Sequence, residues 1–177
     1  MAHLLQLVVG LEGMGLHRLV AGPDMRRQGE SNRWGQPALV ALAPARAEVW
    51  LDGAHNEAGG RVLAEAMADF EDQSPRPLAL ICGALTTKDT AGFLSHFKGL
   101  AQETLAVPIA GDHAGRAAEE VAAIARGVGL SAAACDSVAS ALRFLAARDW
   151  PKPPRILIAG SLYLAGAVLE QNGDAPR

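Results

Sequence analysis

Two cysteines, no basic run and an aromatic content of 5% set aside several common functions at the outset. Cys82 and Cys135 sit in apolar or alanine-rich surroundings and form neither a CxxC pair nor a Cys/His cluster. Such thiols fit a reducing cytosol and argue against a disulfide or a zinc site. Lys plus Arg is 16 against 19 for Asp plus Glu, a formal charge of -3, and few rings are present to stack on bases. No nucleic-acid partner is expected. The apolar start, Leu4 to Leu11, lacks a basic flank, is interrupted by Gly10 and Glu12, and falls short of the ~18 apolar residues that argue for a membrane helix. A soluble, cytoplasmic chain with no membrane partner is the expectation.

Two phosphate-binding patterns are missing as well. The sequence holds no G-x-x-x-x-G-K-S/T loop, and Gly10, Gly13 and Gly15 lack the preceding strand and following acid that a dinucleotide fingerprint requires. By itself, then, the chain has no evident means of holding a triphosphate.

What is present is a regular alternation of strand and helix signals over 177 residues, 50% of them hydrophobic, enough for one well-buried α/β domain with an appendage. Residues 1–36 read as an N-terminal arm or linker, helical or irregular, and residues 37–177 as the domain. Within the domain, Ala38 to Ala43 reads as a short strand joined through Ala45 to Ala47, as a hairpin, to the strand at Val49 to Leu51. A helix with Leu63, Ala66, Met67 and Phe70 on one side follows, and then the apolar run Leu78 to Cys82, of the kind buried on both faces. A short helix through Phe93, Leu94 and Phe97, a strand from Thr104 to Ile109 and a helix from Ala117 to Val128 come next. After them stand a weak strand at Ser131 to Cys135 and a helix carrying Val138, Leu142 and Leu145, which Asp136 or Ser137 can cap. Arg155 to Ala159 and a helix opened by Ser161 complete the pattern. The expected fold class is α/β: a Rossmann-like, right-handed doubly wound sheet of six strands, mostly parallel, with Ala38 to Ala43 as the antiparallel one and helices on both faces.

In such a sheet the loops at the carboxyl ends of the strands meet at one edge. Those loops carry Asp52, His55, Asn56, Lys88, Asp89, Asp112, His113 and Ser161, a set suited to a small zwitterionic or phosphorylated ligand. Taken singly, each has a purely structural explanation. Asp52 and Asn56 are common turn and N-cap residues, His55 can bond the backbone, Ser161 can cap a helix, and Lys88 and His113 are most often solvated. Their convergence carries more weight than any one of them.

Leu51-Asp52-Gly53-Ala54-His55-Asn56, Gly83-Ala84-Leu85 leading to Lys88-Asp89, and Gly160-Ser161-Leu162-Tyr163-Leu164-Ala165-Gly166 stand in one order along the chain. Together they resemble the C-terminal domain of folylpolyglutamate synthase and dihydrofolate synthase, of the Mur ligase superfamily, over about residues 37 to 170. The resemblance implies a glutamate-binding domain of an ATP-dependent ligase in folate biosynthesis and one-carbon metabolism, which adds L-glutamate to dihydropteroate or a folate through an acyl phosphate. It implies that Asp52 helps to hold the nucleotide and that His55 and Ser161 bind glutamate, with Asn56, Lys88 and Asp89 in support and no catalytic residue or metal ligand in this part. ATP and Mg2+ would serve the complete enzyme, held mainly by a P-loop ATPase domain supplied in cis or in trans, and this domain alone would hold neither. Before residue 37 the family's Trp-Pro-x-Arg element is not clearly reproduced; Arg26, Arg27 and Arg33 are the candidates for its nucleotide-contacting arginine. The alternative expectation is a stand-alone binding or interaction domain that kept the fold and lost catalysis.

Overall fold

Two apolar segments, Leu78–Cys82 (β3) and Arg155–Ala159 (β6), are buried along their whole length and lie side by side in parallel. A strand covered on both faces has no use for alternating polar residues, which is why both read as continuous apolar runs. The structure, a computed structural model, describes residues 15–19 and 38–173. Around the central pair it builds a six-stranded sheet with His17–Leu19 (β1), Glu48–Leu51 (β2), Ala101–Ala106 (β4) and Ala132–Ala134 (β5), in the order β1-β2-β6-β3-β4-β5. Every pairing is parallel except that of β1 with β2.

Helices Glu57–Gln73 (α1), Thr90–Ser95 (α2) and Ala118–Gly127 (α3) cover one face. Their Leu63, Met67, Phe93, Leu94, Val121 and Ala125 pack on Leu80, Cys82, Ala106 and Leu157. Helices Val138–Ala146 (α4) and Leu162–Asn172 (α5) cover the other, where Leu142, Leu145, Leu164 and Val168 meet Val49, Ile81, Leu105 and Ile156. Successive strand residues point to opposite faces, so each strand feeds both cores.

Local capping chemistry sets the helix starts. Asn56 opens α1 and Asp89 opens α2, each accepting an amide three residues on. Ser137 opens α4 in a reciprocal capping box with Ser140, and Ser161 opens α5. Gly173, at φ 87°, closes α5 in the left-handed conformation that glycine adopts without strain.

Two expectations are overturned at the antiparallel edge. Ala38 to Ala43 is no strand: Leu39–Leu42 forms a 3-10 helix, with Leu39 buried among residues of α4 and α5 and the Val40 amide donating to Asn172 Oδ1 at 3.0 Å. The link through Ala45 to Ala47 is accordingly a turn between that helix and β2, with Arg46 at φ 62°, rather than a hairpin. The antiparallel strand comes instead from the segment expected to be a helical or irregular arm, where His17, Arg18 and Leu19 face Leu51, Trp50 and Val49. A short apolar run has no periodicity long enough to distinguish strand from helix, and pairing partners decide it. The fourth strand also starts earlier than expected, at Ala101, and ends at Ala106 rather than Ile109.

At the amino end of β2, Glu48 gathers three arginines. Its carboxylate lies 3.0 Å from Arg155 Nε, 3.4 Å from Arg76 Nε and 4.0 Å from Arg18 Nη2. Burial by itself would push this carboxyl up; the hydrogen bond and charge of Arg155, with the charges of Arg76 and Arg18, outweigh it and hold the group below the ordinary glutamate value. The cluster ties β1, β2, β6 and the chain after α1 together at the end of the sheet away from the candidate site.

Candidate functional site

Among the described strands, the winding order reverses once. The chain runs β2, β3, β4, β5 outward with α1 to α3 on one face, then returns across the other face to insert β6 between β2 and β3. At that reversal the loops leaving β2 and β6 are followed by helices on opposite faces, which opens a crevice at the carboxyl ends of the strands. Asp52, Lys88 and Ser161 all lie on loops at this edge, as their positions after parallel neighbouring strands require.

Backbone bonds weld the loops together. Asp52 N–H donates to Ile158 O at 3.0 Å, Gly160 N–H to Ala54 O at 2.8 Å, and Gly83 N–H to Ala159 O at 3.4 Å. Gly160 has φ 106°, and a Cβ there would sit 2.6 Å from Gly83 O and 2.7 Å from Cys82 Sγ. Only glycine brings the three strand ends so close. The Cys82 thiol beneath them is fully buried and pushed up to about 12 by that burial, which makes it packing rather than a nucleophile. On the neighbouring side, Thr86 N–H donates to Ala114 O at 2.9 Å and Arg116 N–H to Ala84 O at 2.8 Å, so the loop that carries Lys88 is braced by the loop after β4.

The structure divides the candidate residues between two cavities. His55, Lys88 and Ser161 line one, of about 440 Å³, together with Leu85, Thr87, Leu162 and Tyr163. Ser161 is buried, and its Oγ accepts Tyr163 N–H at 3.1 Å, which leaves the hydroxyl hydrogen free to donate. His55 Nδ1 lies 2.9 Å from Gly53 O. Lys88, Thr87, Ser161 and the first-turn amides of α5 supply donors to this cavity, and the amino end of an eleven-residue helix adds a positive field.

Asp52 lines a second, smaller cavity of about 280 Å³ with Gly15, Ala54, Ala58, Gly59, Val62 and Leu63. Asp52 is 7% exposed, and its Oδ1 accepts Ala54 N–H at 2.7 Å. A buried carboxylate in an apolar pocket receives hydroxyl or amino donors and repels phosphates. Among the described residues, no three His, Cys, Asp or Glu side chains group as ligands for a metal ion.

Other candidates do structural work. Asn56 and Asp89 are helix caps, and the exposed Asp112 does not line either cavity. His113 stacks on Tyr163 with ring centroids 3.7 Å apart, and so backs a wall of the larger cavity. Tyr163, Leu162 and Thr87 were not singled out from the sequence. The signal for the first two was their place directly after Ser161, at the exposed start of a helix, where apolar side chains are 49% and 66% exposed. Arg26, Arg27 and Arg33 lie outside the described residues.

No protein-family model matches the sequence, and no curated protein does. Solved structures do. E. coli FolC in complex with DHPP and ADP shares 26% identity at a TM-score of 0.57, over 70% of this chain and 28% of its own. Folylpolyglutamate synthase of Mycobacterium tuberculosis complexed with ADP matches at 23% identity and a TM-score of 0.61, over 77% of this chain and 32% of its own. The bifunctional folylpolyglutamate synthase/dihydrofolate synthase of Yersinia pestis, complexed with AMPPNP and Mn ion, matches at 22% and 0.56, over 70% and 28%. The chain is similar to the C-terminal, Mur ligase-type domain of the folylpolyglutamate synthases. It spans about a third or less of these synthases. The six-stranded, mostly parallel α/β sheet expected from the sequence is the synthase-domain fold. No helix among the described residues is long and apolar enough to cross a membrane.

Proposed function

We propose that this chain is the C-terminal, glutamate-binding part of an ATP-dependent folate ligase that adds L-glutamate to dihydropteroate or to folates. The single observation that carries this reading is the meeting of His55, Lys88 and Ser161 in one donor-rich cavity, within a domain whose fold is that of the synthases. A dicarboxylic amino acid needs donors for two carboxylates. The amides and hydroxyl at the start of α5 suit one, and the Lys88 ammonium suits the other.

Asp52, in its separate pocket, would contact the nucleotide through a hydroxyl or amino group rather than a phosphate. ATP and Mg2+ would be held mainly by a P-loop ATPase domain, acting in cis or in trans, with Asp52 closing on the nucleotide from this side. ATP would supply activation of the folate-type carboxyl as an acyl phosphate, and closure of the two domains would exclude the water that hydrolyses it.

The test is a ligation assay with ATP, Mg2+, L-glutamate and dihydropteroate. The chain alone should give no turnover, and the chain joined in frame or mixed with its P-loop domain should. Turnover by the chain alone would place a complete nucleotide site within it. Glutamate binding without ligation in any assembly would favour a binding domain that has lost catalysis.

A further inference from the structure

Granted the glutamate site proposed above, we infer that His55 takes the amino group of the incoming amino acid, as a positioning residue and proton acceptor, rather than a carboxylate. The distinction follows from one contact. A carbonyl oxygen can only accept, so the 2.9 Å approach of Nδ1 to Gly53 O places the proton of the neutral ring on Nδ1. The remaining nitrogen, Nε2, then carries the lone pair, in a ring that lines the cavity with Lys88 and Ser161.

The rest of the cavity lacks a rival. Its lining side chains are His55, Lys88, Leu85, Thr87, Ser161, Leu162 and Tyr163, with no carboxylate among them. Lys88 has no acceptor when charged, the leucines have none at all, and the hydroxyls are too weakly basic to remove a proton from an ammonium. The Gly53 carbonyl keeps a second lone pair beside its bond from Nδ1–H, but a carbonyl oxygen is far too weakly basic to remove a proton from an ammonium. The cavity therefore offers cationic and amide donors for carboxylates, and one basic nitrogen.

In the reaction, Nε2 removes one proton from the ammonium of the amino acid. The neutral amine that remains uses its lone pair to form a C–N bond at the activated carboxyl carbon, the C–O bond to phosphate breaks, the phosphate leaves with that electron pair, and the nitrogen gives up its second proton to the departing phosphate as the amide forms. His55 then returns its proton to solvent. Gly53 O, accepting from Nδ1–H throughout, fixes the ring plane and stabilises the transient imidazolium.

The test compares L-glutamate with glutarate, which keeps both carboxylates and lacks the amine, by NMR titration of the 15N-histidine-labelled chain. Nitrogen shifts should show His55 in the Nδ1–H form, and L-glutamate, but not glutarate, should move its Nε2 resonance. His55→Asn keeps a donor near Nδ1 and removes the ε-acceptor; it should weaken glutamate binding roughly tenfold to a hundredfold and leave glutarate binding within about twofold. His55→Gln, with a carbonyl near the ε-position, should restore part of the loss in binding but not ligation in the assembled enzyme. Lys88→Ala should weaken both ligands. An Nε2–H tautomer, or equal losses for glutamate and glutarate in His55→Asn, would overturn the assignment while leaving the glutamate site standing. Failure of both ligands to bind the unaltered chain would remove the site itself, and this assignment with it.

Discussion

The Gly160 amide donates to the Ala54 carbonyl across 2.8 Å, and this bond joins the loop leaving β6 to the loop leaving β2. Through it the two sequence signatures of the domain, 107 positions apart at His55 and Leu162, share one cavity. The geometry depends on two glycines of different character. Gly160 is boxed in by backbone at Gly83 and needs its positive φ, whereas a Cβ at Gly53 would clash with the Leu162 side chain, which is largely exposed, and touch the Leu162 backbone only at an ordinary 3.6 Å.

Gly160→Ala should therefore destabilise the fold by about 1–3 kcal/mol from backbone strain alone, with more from displacement of Gly83. Gly53→Ala should cost little stability, because Leu162 can swing into solvent. It should still reshape the cavity that Leu162 lines and weaken ligand binding. Urea denaturation of both variants, paired with glutamate titration, checks the contrast; equal stability losses would contradict it.

In the complete, domain-assembled enzyme, Ser161→Ala and His55→Ala should weaken apparent glutamate affinity far more than ATP affinity, and Asp52→Ala should do the reverse. Loss of one charge-assisted hydrogen bond costs ~1.5–3 kcal/mol, roughly tenfold to a hundredfold. Ser161→Ala should also lose about 1 kcal/mol of stability as a missing helix cap. Steady-state kinetics with each substrate varied in turn decides between the patterns. Unchanged glutamate dependence in both variants would leave Ser161 a cap and His55 a brace for its own loop.

The Glu48 cluster makes a pH-dependent contribution to stability with a definite sign. Its carboxyl is held below 4.5 in the folded chain, so in the window beneath 4.5 the unfolded chain binds the extra proton first. The stabilisation is in full force above that window and is lost as the pH falls through the lower folded value. Denaturation midpoints of the unaltered chain and Glu48→Gln should converge as the pH falls beneath 4.5 and separate toward neutrality. A constant gap across that range would mean the arginines do not act through this charge.

The two thiols should differ sharply in reactivity. Cys82, fully buried and raised to about 12, should resist alkylation until the chain unfolds. Cys135 is partly exposed, and burial together with the Asp136 charge raises it, so it should label in the native state, more slowly than a free thiol at neutral pH. Mass spectrometry after timed labelling reads both sites. Native labelling of Cys82 would mean that the loops packed on it open readily.

By itself the sequence determined what short-range chemistry determines. The capping residues Asn56, Asp89, Ser137 and Ser161, and the apolar runs at Leu78 to Cys82 and Arg155 to Ala159, act within a few residues of where they stand, so the alternation of strands and helices was legible, and with it the edge where their loops meet. Tertiary structure decided whatever depends on distant partners. Leu39–Leu42 became a 3-10 helix because its side chains had α4 and α5 to pack against, and His17–Leu19 became the antiparallel strand because the open edge of β2 lacked hydrogen-bond partners. The division of Asp52 from His55, Lys88 and Ser161 into two cavities was equally invisible in one dimension. Asp52 and His55 are three residues apart in one loop, and which side of it each presents to a cavity is settled only when β6 is inserted beside β2 and its following helix covers the opposite face.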